Sequence, residues 1–385
     1  MCDLQCEQEE GIFMNRIKNK KLCVVLLLVL LWSISFPAMA AVTDAQLEQA
    51  VEKSASYVLG VTPEPQVAVI GGEWAVLGLV RSEYAVSQAY QDNYYQTVAA
   101  YVKEKNGILH TKKYTEYSRV ILALSAIGAD PANVGGYNLL TPLGDFDKTV
   151  QQGINGAVWA LIALDSKAYA MPVNASAKKQ ASRQMYVDYI LSRQLDNGGW
   201  NLTAAGGAGQ AGADITGMVL QALAPYQSQP KVKAATEKAL ACLSELQKAD
   251  GGYGDSSESA VQVIVGLSAL GIDLEDTRFV KQGNSLLDFL LTYQQADGSF
   301  LHTKHGQGNS RMATEQGLYG MTAALRAMEG KSSLYDMTDA AKTNAAANQQ
   351  TLKPDNKQML AALSQPALQA ALWYGTAGLS GRLFV

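Results

Sequence analysis

The amino-acid sequence predicts an all-α protein, an α/α toroid (α6/α6 barrel) of six helix pairs, on three observations. A helix-stop signature recurs along the chain. Helices with one polar side alternate with helices that carry no charge. Runs with the period-two alternation of strands are scarce.

The signature is clearest at Gln194-Leu-Asp-Asn-Gly-Gly-Trp200. Asn197, Gly198 and Gly199 tolerate the left-handed backbone that a helix end needs, and Trp200 is placed to fold back on the helix just left. It returns as Gln247-Lys-Ala-Asp-Gly-Gly-Tyr253 and Gln294-Gln-Ala-Asp-Gly-Ser-Phe300, with a degenerate copy at Lys103-Glu-Lys-Asn-Gly-Ile-Leu109. The spacing, roughly 50 residues, is that of a two-helix repeat.

In chain order the polar-sided helices are expected at Asp44–Leu59, Tyr90–Lys105, a weak Leu140–Gln152, Lys178–Leu195, Lys231–Lys248 and Val280–Gln295. Between them stand uncharged runs at Trp74–Val80, Val120–Ala129, Gly156–Leu164, Ile215–Pro225, Ser259–Ile272 and Gln316–Leu325. A helix that is apolar all round must be buried, so the second set is inner and the first outer. An open solenoid needs polar end caps. Neither the first nor the last inner run is more polar than the others, which favours closure into a ring.

At 385 residues, 48% hydrophobic and 17% charged, the chain can bury a sizeable core, and general disorder is excluded. The 31 basic and 35 acidic residues leave a net charge of −4, with no basic cluster beyond the N-terminus, so nucleic acid is not an expected partner. Residues 1–40 read as a signal-peptide region: Arg16, Lys18, Lys20 and Lys21 precede the apolar run Leu22 to Phe36, which ends at Ala38-Met39-Ala40. Met14 is an alternative start, and an uncleaved anchor the alternative fate. The expected location is therefore secreted or extracytoplasmic. Cys2, Cys6 and Cys23 lie in that segment, leaving Cys242 alone and the mature chain held by packing without a disulfide. The toroid spans 41–330. A polar linker, 331–360, and an apolar tail, 361–385, follow. Pro366 and three glycines interrupt the tail, which leaves a marginal anchor or a docking helix as the alternatives to a regular membrane span. The two termini are the candidates for membrane or cell-surface association.

The signature resembles the QW-type repeats of squalene and hopene cyclases. Tyr189-Ile190, Gln194, Gly198 and Trp200 fit the pattern in full; Phe289-Leu290, Gln294, Gly298 and Phe300 fit with Phe for Trp; at Cys242-Leu243, Gln247, Gly251 and Tyr253 the opening aromatic is missing. The resemblance covers about Asp44 to Gly330 and implies the toroid of the terpenoid cyclase/protein prenyltransferase superfamily. Gly212-Ala-Asp214-Ile-Thr216-Gly217 further resembles the DxDDTA motif of class II terpenoid cyclases. That implies Asp214 as the general acid, with Gly212 and Ile215 where the family has its other two acids. A carboxylic acid that protonates an alkene needs neighbours that stabilise its anion, and both adjacent carboxylates are absent. Asp214 equally suits an N-cap. Protein prenylation would need zinc ligands on inner helices. Cys242 falls on an outer helix and His110, His302 and His305 in loops, so no metal and no cofactor are expected.

Residues entering the inner helices are repeatedly acidic or amide: Glu73, Glu116, Asn155, Asp214, Glu258 and Glu315. Parallel inner helices would gather them at one mouth, above a lining of Trp74, Tyr117, Trp159 and Tyr319. Such a mouth suits a bulky ligand with an apolar body. Carboxylates also favour helix N-termini, and aromatics on buried helices are ordinarily core. The runs Asp214–Tyr226 and Glu258–Gly271 also resemble inner helices of cobalamin-binding transport proteins, which use the same toroid. The expected function is therefore an exported protein that holds an isoprenoid-like or, as that resemblance implies, corrinoid-like molecule in a lined central hollow. The alternatives are a cyclase using Asp214 and a cell-surface interaction module without a small ligand. A second helical domain on another chain is a further candidate partner.

Overall fold

The computed structural model describes residues 41–340, other than 204, 205, 307 and 309. The expected signal segment, most of the linker and the tail lie outside them. Among the described residues the protein is all-helical, and strand pairing is limited to isolated bridges. The helices are α1 (Asp44–Val61), α2 (Glu73–Arg81), α3 (Gln88–Glu104), α4 (Thr115–Ala126), α5 (Phe146–Thr149), α6 (Ile154–Asp165), α7 (Arg183–Leu191), α8 (Ala213–Leu223), α9 (Pro230–Leu246), α10 (Ser257–Ala269), α11 (Leu286–Leu291) and α12 (Arg311–Met328). None of them is long and apolar enough to cross a membrane.

The even-numbered helices are the apolar ones. Each packs on the next, from α2 through α4, α6, α8 and α10 to α12, and α12 packs back on α2. The cycle is closed. In α6 every residue from Ile154 to Leu164 is buried. By contrast, α9 buries Val232, Ala235, Thr236, Ala239, Leu240 and Leu243, one side at helical spacing, and leaves its lysines outside. The tightest crossing, α8 on α10, depends on glycine. A Cβ on Gly217 would stand 2.6 Å from the Gln262 carbonyl, and one on Gly266 2.8 Å from that of Gly217.

The repeat signature works as a stitch. Gln194 Nε2 donates to its own turn at the Gly198 carbonyl (2.7 Å) and to Ala235 of the next outer helix (2.8 Å). Gln247 does the same with Gly251 and Phe279. Gln294 donates to the Ala50 carbonyl and Ser54 Oγ of α1, so the last stitch fastens the turn after α11 to the first outer helix. Trp200 is fully buried and donates from Nε1 to the Ile190 carbonyl of the helix it follows.

Two expectations are corrected. Leu140–Gln152 is not one helix but two 3₁₀ turns, Thr141–Gly144 and Val150–Gln152, flanking the single-turn α5. Pro142 and the close approach of Gly144 to the Pro172 carbonyl prevent a longer one. Residues 331–340, expected to begin a linker, form a strap bound across the C-terminal ends of the ring helices. Arg81 donates to the carbonyls of Ser333, Leu334 and Asp336, and both Arg81 and Arg326 pair with Asp339. Leu334, Tyr335 and Met337 are buried beneath it.

The axis is not hollow. Trp74 packs on Trp159 (centroids 5.1 Å) and Tyr319 (5.7 Å), and Trp159 meets Tyr335 of the strap edge-on at 5.9 Å. Beside them Gln221 Nε2 donates to the side chain of Gln262, whose own Nε2 donates to Gln316 and to the Tyr319 hydroxyl. This septum leaves a separate cavity at each mouth, with no lining residue in common.

Candidate functional site

The N-terminal mouth is built by helix starts. α2, α4, α6, α8 and α10 all begin without a side-chain cap bond, so their first N–H groups and the positive ends of their dipoles converge there. Glu73, Glu116, Asp214 and Glu258 occupy first turns, where that field favours a carboxylate. Asp214 is not the N-cap. Gly212 holds that position and Asp214 is the second residue of α8. A Cβ on Gly212 would meet Asp214 Oδ1 at 2.7 Å, so the side chain lies back over the glycine.

The cavity at this mouth measures about 50 Å³. Of the residues the sequence singled out, Trp74, Trp159, Asp214, Glu258 and Tyr319 line it. The apolar side is completed by Met218 and Met312, and the polar side by Ser256, Gln262, Gln316 and His302. His302 Nδ1 lies 2.8 Å from both oxygens of Glu258, whose Oε2 also accepts from Ser256 and Ser257. Glu258 is thus a buried carboxylate whose position is fixed from three directions, and it holds an imidazole whose side chain is half exposed at the rim. Such a pair can accept or pass a proton.

The remaining expected site residues do not face this cavity. Glu73 is buried with Oε1 accepting from the Ala68 amide (2.7 Å), and Glu315 Oε1 accepts from the Gly71 amide (2.7 Å). Together they pin the loop that enters α2. Burial raises the Glu73 carboxyl above its usual range and pushes Glu315 up to about 7. The Tyr117 hydroxyl accepts from the Leu109 amide and its ring packs on Tyr114. Glu116 is half-buried and Asn155 buried. Neither lines the cavity.

Sequence reading missed His302 as a partner of Glu258, because the two are 44 residues apart and only the packing of neighbouring repeats brings them together. It also missed the methionines, which on an apolar helix carry no distinguishing signal.

No family model matches the chain, and no curated protein does. Among solved structures it is similar to the type II terpene cyclase MstE from Scytonema. One is a variant without ligand (12% identity, TM-score 0.45); the other is a variant in complex with its substrate geranylgeranyl dihydroxybenzoate (13%, TM-score 0.45). Each match covers 80% of this chain and 100% of the other. Likeness at that level transfers no function.

Proposed function

We propose that this is an exported binding protein whose N-terminal mouth takes a small molecule with an apolar body and a hydrogen-bond-donating or cationic end. The observation that carries the reading is convergence on one cavity: Trp74, Trp159, Met218, Met312 and Tyr319 on one side, Asp214 and the Glu258–His302 pair on the other. Anionic ends are disfavoured by the two carboxylates. A volume near 50 Å³ admits the polar end and a few carbons, against roughly 300 Å³ or more for a bulky ligand's pocket. Met218 and Met312, unbranched and adaptable, are the side chains that would turn aside for the body. Val69, Ile70, Ile108 and Leu202 stand exposed on the loops leading into α2, α4 and α8, an apolar rim for such a ligand to cross. The signal-like segment 1–40 supports export.

A second reading is acid catalysis on an isoprenoid by Asp214. It draws on a half-buried carboxylate set in an aromatic cavity beside a His–Glu pair. Native mass spectrometry of the full-length protein and of Trp74→Ala separates the outcomes. Binding predicts a co-purifying small molecule that Trp74→Ala loses. No adduct in either protein contradicts it. Product formed from a polyene alcohol, and abolished by Asp214→Asn, replaces binding with catalysis.

A further inference from the structure

We propose that the opposite, C-terminal mouth is a second binding site, for an uncharged, largely apolar molecule bearing one hydroxyl group. A cavity of about 720 Å³ lies between the last turns of α6, α8 and α10 and the 331–340 strap, within the size range of ligand pockets. Its walls are apolar at Ile162, Ala222, Pro225, Val265, Ala269 and Leu334.

Two of the charged groups facing it, Asp165 and Arg183, are matched to each other. Asp165 takes Arg183 Nε on Oδ1 (2.6 Å) and the Tyr226 hydroxyl on Oδ2 (2.7 Å), while Arg183 also donates to the carbonyls of Leu164 and Tyr169. Asp336 stands exposed at the edge and accepts from Thr338 on Oδ1. An anionic ligand would find no complementary charge without breaking the Asp165–Arg183 pair, which is costly, and a cationic one would meet only the exposed Asp336 carboxylate at the edge.

The unmet hydrogen-bonding groups are neutral. Gln221 Oε1 and the Tyr335 hydroxyl are buried with no partner among the described residues, and both residues line the cavity. One is an acceptor and the other a donor. A buried group of either kind calls for a partner. A hydroxyl can give its proton to Gln221 and take that of Tyr335. Since the two cavities share no lining residue, this site stands or falls apart from the N-terminal one.

The test uses the full-length protein titrated with 1-dodecanol, laurate and dodecylammonium, three probes that share a chain and differ in head charge. Tryptophan fluorescence is the readout, because Trp159 touches Tyr335. The proposal expects saturable dodecanol binding, laurate at least roughly tenfold weaker, and a dodecanol affinity that falls about tenfold or more in Ala222→Trp. Should that variant unfold, the exposed Ala170→Trp narrows the entrance without disturbing packing, and the same loss is expected. Tyr335→Phe should weaken dodecanol several-fold and leave the circular dichroism spectrum unchanged. The proposal is overturned by absence of saturable dodecanol binding, by laurate binding equally well, or by binding that survives the filling variants but disappears in Asp214→Asn.

Discussion

The two mouths of the ring are made from opposite ends of the same helices, and they differ as those ends differ. At the N-terminal mouth the helix starts carry acids, and carboxylates collect around a cavity of about 50 Å³. At the C-terminal mouth the helix ends expose carbonyls, and the cations Arg81 and Arg326 occupy the last turns of α2 and α12. There they bind not a ligand but the chain's own strap, and the space left under it is more than ten times larger. At the first mouth Asp214 and the Glu258–His302 pair line the cavity. The other uses its charges to hold the chain's own strap across part of it.

The largest effect expected from breaking this contrast is at the strapped mouth. Arg81, 4% exposed, gives its protons to three strap carbonyls and Asp339. Arg81→Met strands those acceptors and should cost about 3 kcal/mol in urea unfolding, with amide exchange at 331–340 rising to that of an unprotected segment. An unchanged midpoint would mean that the strap adds nothing to the ring.

The N-terminal mouth should show itself through pH instead. Glu315 binds its proton up to about pH 7 when folded but only to its ordinary 4.5 when unfolded. Between those values the folded state holds the extra proton, so stability falls as pH rises from 4.5 toward 7 and levels off above. Glu73, raised by burial in the same direction, adds to the slope. The loss should be on the order of 2 kcal/mol, and Glu315→Gln should flatten most of it in thermal melts taken across that range. A stability that rises over the same interval contradicts the assignment.

How much of this was legible in the sequence follows from the range of the interactions. The repeat turns were legible because Gly198 and Trp200 act within one helix end, but the Gln194 bond to the next outer helix was not, since its partner there is backbone, which any residue supplies. Trp74, Trp159, Asp214, Glu258 and Tyr319 were legible as mouth residues because position on an inner helix fixes the end they face. Which of the acids open onto the cavity was not. Glu73 and Glu315 turn to the loop amides of Ala68 and Gly71, an outcome set by a loop no periodicity describes. The strap was hidden by composition: Leu334, Tyr335 and Met337 sit among Ser, Asp and Lys, and averaging over the segment erased the three side chains that bury it.

The smallest effect on stability and the most direct test of function coincide at His302. Its side chain is half exposed, so His302→Gln should shift the unfolding free energy by no more than about 0.5 kcal/mol. The chain has three histidines, which makes the ring nitrogens assignable by that one substitution. Nitrogen-15 spectra of the imidazoles should be recorded as dodecylammonium is added to the full-length protein. A saturable shift of the His302 resonances, weak or missing with laurate, is the result expected of a mouth that takes a donor-headed apolar molecule. His302 signals that stay fixed while His110 or His305 move, or that respond to both probes alike, would contradict it.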